Sequence, residues 1–340
     1  MTSRPNYRHI CEGLLASIGS CEAIQKIKPV SAGRNNKVFR IFTSNRNLIA
    51  KFFYNCVTDH RDRFISELTF YQYIMINDIT GAPNLLAKNK EQRVILLEDV
   101  SGKALKSGTI GKNHITQAMD FIVALNRGSK ERQSIGPASE ACLFIRDYEK
   151  AIDRRLNRLK ASNPEATICQ FIETELGPVW DRIRQSTFSL RRISNVNNIN
   201  EEDRLISPSD FGFHNCIETR GGRLIFYDFE YAGWDDPAKL IGDFFCQVEV
   251  PVPIGLFKDT IEKLSGQFCD FEGLKRRVLH LLPAIQLKWC CLLLNEFLTT
   301  DADRREFSGN TINDTIRQEQ LEKARVALNR ADELNKEGIT

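Results

Sequence analysis

The spacing of hydrophobic positions changes along the chain. Lys28 to Ser31, Lys37 to Phe42 and Leu48 to Phe53 are short β-rich runs, separated by Ala32 to Asn36 and by Ser44 to Asn47, and they predict three consecutive strands. From about Asp59 to Ile76 the period lengthens. Phe64, Leu68, Tyr71 and Met75 recur at helical spacing and predict one apolar helix face. Arg93 to Leu97 reads as a further strand, which Asp99 to Gly102 leaves. Beyond residue 110 the texture is helical, with periodic segments over His114 to Asn126, Leu143 to Lys160 and Ile168 to Ser186. The polar, asparagine-rich stretch from Gln185 to Arg204 predicts an irregular connection, and Leu205 to Asp228 returns to loop and strand. Asp243 to Thr340 is again helical. It closes, over residues 310–336, with an amphipathic helix carrying Leu321, Ala324, Leu328, Ala331 and Leu334, which packs on the lobe or pairs with a second chain. This is an α+β arrangement: a small strand-rich lobe, residues 1–98, followed by a larger helical lobe, residues 99–340.

Composition narrows the class. Over 340 residues, 47 Lys and Arg oppose 44 Asp and Glu, a formal net charge of +3, which is no electrostatic footprint for nucleic acid. Hydrophobic residues at 42% exclude disorder as the main state. The first residues carry no continuous apolar run, so no signal peptide is expected. The most apolar stretch, Val278 to Leu298, is interrupted by His280, Pro283, Gln286, Lys288, Asn295 and Glu296, which argues against a membrane span. The ten cysteines form no C-x-x-C pair and are expected as buried free thiols in a reducing cytoplasm.

The most informative stretch is residues 205–245. Gly221-Gly222 between two apolar runs predicts a β-hairpin with a two-residue turn. That register pairs Ile217 with Phe226 and sets Asn215 beside Asp228 at the open end. An amide and a carboxylate oxygen so placed suit Mg²⁺ bound together with phosphate oxygens, and Asp210 lies in the turn-rich loop just before them.

The order Asp210-x-x-x-x-Asn215, hairpin, Asp228-Phe229-Glu230 resembles the core of the aminoglycoside phosphotransferase and choline kinase family, whose fold is the two-lobed protein-kinase-like one, with a small antiparallel-sheet N-lobe. The resemblance extends over most of residues 26–245. Gly33 to Asn36 is similar to that family's nucleotide loop, and Ile49-Ala50-Lys51-Phe52 to the strand bearing its phosphate-binding lysine. Glu67 resembles the helix carboxylate that pairs with this lysine, and Leu96 to Asp99 the hinge. Asp236-Pro237-Ala238 with Asp243 is similar to its downstream element. The chain's own pattern agrees, since Glu67 falls on or beside the apolar face of its helix, where a carboxylate needs a partner such as Lys51.

The resemblance implies an ATP- and Mg²⁺-dependent kinase moving the γ-phosphoryl group to the hydroxyl of a small molecule: a sugar, an amino alcohol or an aminoglycoside-like compound. Asp210 would be the base, Asn215 and Asp228 the metal ligands, Lys51 the phosphate anchor with Glu67 as partner, and Gly33 and Asn36 the nucleotide loop. Backbone groups of Glu98 and Val100 would hold adenine. Where the family usually has histidine two residues before the catalytic aspartate, this chain has Pro208, whose fixed φ is a substitute brace for the loop. His214 is open between a contact to phosphate or acceptor and loop packing. Asp243 is expected to accept hydrogen bonds from catalytic-loop amides, Trp234 and Trp289 to be core or interface aromatics, and Asp301, Asp303, Arg304 and Arg305 to be a solvated cluster. The rival reading is a kinase-like scaffold with weak or no catalysis. A protein or peptide kinase is disfavoured, because Phe229 to Pro237 is too short for a long activation segment. Neither nucleic acid nor membrane is an expected partner.

Overall fold

The computed structural model describes residues 6–30, 35–55, 62–162, 165–194, 199–268, 270–298, 307 and 314–338, with 188–194 as backbone only. Gly33, the start of the predicted helix at Asp59, and the cluster at Asp301, Asp303, Arg304 and Arg305 lie outside the described residues.

Strands β1 (Ile24–Val30), β2 (Lys37–Thr43), β3 (Asn47–Phe52), β4 (Leu85–Asn89) and β5 (Val94–Glu98) form one antiparallel sheet in the order β1-β2-β3-β5-β4. Two helices cover its two faces. Helix α1 (Tyr7–Ser17) packs Cys11, Leu14 and Leu15 with Leu48, Ala50 and Phe52 of β3 and with Val94 and Leu96 of β5. Helix α2 (Arg63–Ile76) packs Phe64 and Leu68 with Ile95 and Leu97, the alternate residues of β5. The period-2 alternation thus sends Leu48, Ala50 and Phe52 toward α1 and Ile49 and Lys51 to the opposite face. Helix α1 and strand β4 have no counterpart in the reading of the sequence. Met75, expected on the buried face of α2, is 48% exposed; the buried stripe ends instead at Tyr71 and Ile74, as the drift of a 3.6-residue period requires.

After β5 the chain crosses through Asp99 to β6 (Gly102–Ala104), which pairs with β8 (Cys216–Thr219) of a hairpin completed by β9 (Leu224–Phe226). Gly102 is required at this crossing, because a Cβ there would lie 2.4 Å from the carbonyl oxygen of Glu218. A second two-stranded sheet pairs β7 (Leu205–Ser207) with β10 (Gly233–Asp235). The remainder is helical: α3 (Lys112–Arg127), α4 (Ile145–Ala161), α5 (Ala166–Phe171), α6 (Gly177–Ser194), α7 (Pro237–Cys246), α8 (Phe257–Lys263), α9 (Phe271–Leu293) and α10 (Asp314–Glu337). A π-helical turn, Ile172–Leu176, joins α5 to α6, and α6 runs to Ser194, so much of the predicted irregular connection is helix.

Helix α9 is the axis of this lobe, with α4, α6, α7 and α10 against it. It is long and apolar enough to cross a membrane by length and composition, but Val278, Leu281, Leu282, Ile285, Leu287 and Cys290 are buried among its neighbours. The final helix packs on it through Leu321, Ala324, Ala327, Leu328 and Ala331.

A column of aromatic rings joins the two halves. Phe229 meets Phe70 and Tyr71 of α2 at 4.8 and 5.2 Å between centroids, and Phe121 of α3 stacks on Phe226 at 5.2 Å. Phe211 continues the column to Phe226 at 4.8 Å and to Phe244 of α7 at 5.5 Å. Phe121, which touches Phe211, Phe226 and Phe229, is the shared member. Phe121→Ala is therefore expected to lower stability by about 3–5 kcal/mol, the range for a truncated buried phenyl ring, measured by urea denaturation.

Candidate active site

The loop after β7 is built by alternation. Phe211 and Phe213 are buried in the aromatic column, which leaves Asp210, His214 and Asn215 partly exposed in the cleft. Ser209 sits at φ 68°, a left-handed conformation that a non-glycine residue keeps only when its surroundings hold it. Those surroundings are polar. The Ser209 amide donates to Ser207 Oγ at 2.9 Å, and Lys239 Nζ of α7 donates to Ser209 Oγ at 3.3 Å and to Asp235 Oδ2 at 2.7 Å. The side chain of Asn126 from α3 both accepts from the Ile206 amide and donates to its carbonyl. Lys239 and Asn126 thus supply the brace that the sequence suggested Pro208 would replace. Asp243 was expected to accept from loop amides; it instead accepts from Lys288 Nζ and from the indole of Trp289, both on α9. The reason is packing: α7 lies against α9, which brings Lys288 and Trp289 to Asp243, while Lys239, the loop's brace, stands 3.6 Å from its other oxygen.

Asp210 is held by its own loop. His214 Nε2 lies 3.2 Å from Oδ1, and the Asn215 amide donates to the Asp210 carbonyl at 3.1 Å and approaches Oδ2 at 3.4 Å. Burial alone would push the Asp210 carboxyl up, but the hydrogen bond and charge of His214 and the Asn215 amide outweigh it and hold the group below the usual carboxylate range. For His214 burial opposes the charge, while the bond to Asp210 and the fields of Asp210, Asp228 and Glu249 raise its basicity.

The hairpin register differs from expectation. Ile217 faces Ile225 and Cys216 faces Phe226, while the Tyr227 amide donates to the Asn215 carbonyl at 3.1 Å, so Asn215 faces Tyr227 and not Asp228. The turn closes through Thr219 and Arg223 around Arg220-Gly221-Gly222, with Gly222 at φ 74°, one residue longer than a two-residue turn. Asp228 then leaves the strand at φ 68° and turns to a second cluster.

That cluster brings three elements together. Lys51 of β3, 6% exposed, donates from Nζ to Glu67 Oε2 of α2 at 2.5 Å and also to Asp228 Oδ1. Glu67 is wholly buried, and burial pushes its carboxyl up, to about 8, against the pull of the ammonium. Lys51 is itself raised: desolvation works against the charge, and Asp228, Glu67 and Glu230 overcome it. The field of Asp210 reaches Asp228 as well, so the two clusters share one electrostatic environment.

Glu230 is the residue that the sequence reading left without a role. Only 2% exposed, it accepts from Asn35 Nδ2 at Oε1, 2.5 Å, and from Asn36 Nδ2 at Oε2, while Asn35 also donates to the Tyr231 hydroxyl at 2.7 Å. The Arg63 guanidinium stands 3.9 Å from it. The Asp228-x-Glu230 spacing was its only signal: two acids in an otherwise aromatic run, spaced for one strand face. Asn36, assigned to the nucleotide loop, is 5% exposed through this contact. At the crossing, Arg40 Nε pairs with Asp99 Oδ2 at 2.8 Å, and a cavity of about 630 Å³ is lined by Arg40, Asp99, Val100, Gly102 and Glu218. The Glu98 side chain accepts from Asn84 at 2.8 Å.

Two outcomes follow from this geometry. Asp210 is depressed, so its stabilisation is lost as pH falls below about 4; His214 is raised, so its stabilisation is present below about 6.5 and lost as pH rises through the folded-state value. The stability difference between wild type and His214→Gln is thus expected to be largest near pH 5–6 and to shrink toward pH 8.5, followed by thermal unfolding across pH. Glu230→Ala strands the buried amide of Asn36 and is expected to lower stability by about 1–3 kcal/mol, read by urea denaturation.

No protein-family model matches the chain, and no curated protein does. Solved structures do match it. The choline kinase LicA from Streptococcus pneumoniae superposes with a TM-score of 0.57 at 17% identity, over 95% of this chain and 99% of that one. A putative aminoglycoside phosphotransferase from Ralstonia eutropha gives 0.57 at 14% identity, over 98% and 99%. The ternary complex of APH(2")-IIa with streptomycin and ATP gives 0.59 at 12% identity, over 98% and 99%. The small antiparallel sheet, the crossing and the helical lobe of this chain therefore make up the two-lobed, protein-kinase-like fold of those phosphotransferases.

Proposed function

We propose that the protein is an ATP-dependent small-molecule kinase that transfers the γ-phosphoryl group to a substrate hydroxyl, with a nucleotide-binding lobe, residues 1–98, joined at the hinge to a catalytic and acceptor-binding lobe, residues 99–340. The observation that carries this is the joint placement of Lys51, Glu67 and Asp228 in one ion-paired cluster, electrostatically coupled to Asp210 with Asn215. A phosphate anchor, an acceptor-side carboxylate and oxygen ligands for a cation are what phosphoryl transfer requires, since the reaction depends on positioning and charge stabilisation.

Asn215 and Asp228 fit a hard divalent cation such as Mg²⁺. The amide nitrogen of Asn215 is committed to Asp210, which leaves its side-chain oxygen to serve, with the Asp228 carboxylate, as a hard oxygen donor. A cation held there would neutralise phosphate oxygens. Lys51 binds the α- and β-phosphates, kept in place by Glu67. Backbone groups between Glu98 and Val100 hold adenine, and the loop through Gly33 and Asn36 covers the phosphates. Asp210 orients the acceptor hydroxyl and takes its proton as the new O–P bond forms and the bond to the β-phosphate oxygen breaks, releasing ADP. His214 on Oδ1 and the Asn215 amide, 3.4 Å from Oδ2, hold the carboxylate in place for that role. A sugar, an amino alcohol or an aminoglycoside-like compound serves as acceptor. The buried thiols of Cys11, Cys142, Cys216, Cys246, Cys290 and Cys291 suit a reducing cytoplasm.

Asp210→Ala is expected to reduce ADP release, in a coupled screen against hydroxyl-bearing metabolites, by at least about a hundredfold while preserving Mg²⁺-dependent thermal stabilisation by ATP. An Asp210→Ala protein that turns over like wild type removes the mechanism. A wild-type protein that ATP with Mg²⁺ does not stabilise removes the kinase reading in favour of a scaffold.

A further inference from the structure

The Lys51 ammonium stands in a cluster of three acidic side chains. Glu67, Asp228 and Glu230 each present an oxygen within 4.8 Å of the others'. Lys51 donates to the first two, and the Arg63 guanidinium stands 3.9 Å from Glu230. Three acidic side chains thus crowd one site, in which Glu67 and Glu230 are 0% and 2% exposed. Glu67 Oε1 is buried and finds no hydrogen-bond partner among the described residues. Asp228, the one member with appreciable exposure, has Oδ1 taken by Lys51.

We propose that Lys51 and the divalent cation are alternative partners of Asp228, so that the cation binds firmly only when nucleotide phosphates draw the ammonium away. This rests on the assignment of Asp228 as a metal ligand. An ammonium and a dication on the same carboxylate repel one another across a few ångströms of low-dielectric interior, where Coulomb energies are only weakly screened. The phosphates of a nucleotide offer the ammonium another set of anionic oxygens. Lys51 can swing to them without leaving Glu67, because its three donors allow one bond to be exchanged while the other is kept. Lys51 therefore does more than anchor phosphate. It keeps the acidic cluster compensated until nucleotide arrives, and it makes cation binding and nucleotide binding depend on each other, with the same coupling factor in both directions.

The test measures Mn²⁺ binding to the full chain, by loss of the electron paramagnetic resonance signal of free Mn²⁺, with and without the non-hydrolysed ATP analogue AMP-PNP. Without nucleotide, Lys51→Met is expected to bind one Mn²⁺ at least about tenfold more tightly than wild type, a gain in binding from loss of a side chain. Lys51→Met/Asp228→Asn is expected to lose that gain, which locates the ion. Should Lys51→Met fail to fold by circular dichroism, Lys51→Met/Glu67→Gln removes the pair together and provides the same comparison with wild type. Nucleotide-free Mn²⁺ binding by wild type as tight as by the lysine variant overturns the proposal, and so does a lysine variant that folds and binds no Mn²⁺. Either result leaves the kinase reading standing, because that reading fails on a different observation: absence of AMP-PNP-dependent stabilisation of wild type.

Discussion

The interaction on which the rest of the site depends is the contact of Lys51 with Glu67 and Asp228. Each partner is on a different element: a central strand, the helix on one face of the sheet, and the segment after the hairpin. Lys51 and Glu67 are too deeply buried to stand alone, since an unpaired buried ion is strongly destabilising. The sheet, α2 and the Asp228 segment therefore have to come together for any one of them to be satisfied. This converts an electrostatic requirement into a geometric one.

The aromatic column performs the corresponding task in apolar terms. Phe229 lies between Asp228 and Glu230 in sequence and packs on Phe70 and Tyr71 of α2, so the residue separating the two acids ties their segment to the helix that carries Glu67. Phe211 and Phe213 do the same on either side of Gly212, and Asp210 and His214 project the other way. Burial of the alternate residues is what fixes the exposed ones. Polar braces from Lys239 and Asn126 then hold a loop with one residue in a left-handed conformation.

Much of this was legible along the chain. Short β-rich runs followed by helical periods gave the order of the lobes, and Asp210, Asn215 and Asp228 stood out by spacing. Local pattern was misleading where a single residue decided the outcome. The turn at Arg220 to Gly222 takes three residues, because closure by Thr219 and Arg223 competes with the two-residue turn that Gly221-Gly222 suggests, and propensity alone does not choose between them. Helix α1 was missed because its apolar stripe of Cys11, Leu14 and Leu15 is short, and β4 because its strand signal is confined to Leu85 to Ala87. Asp243 looked like a loop acceptor by position and became the partner of Lys288 and Trp289 through packing of two helices distant in sequence.

What the sequence determined by itself is the set of chemical groups and their order: a lysine on a strand, a glutamate on an apolar helix face, and an aspartate and an asparagine flanking a loop before a hairpin. Periodicity and spacing are local properties, and a linear reading captures them. Only the tertiary structure decided which groups meet. Glu230 is joined to Asn35 and Asn36 from the other lobe, His214 turns back to Asp210, and Lys51 divides its hydrogen bonds between two carboxylates. Those pairings are set by burial, since a charge removed from water takes whichever partner the packing of distant segments brings within reach.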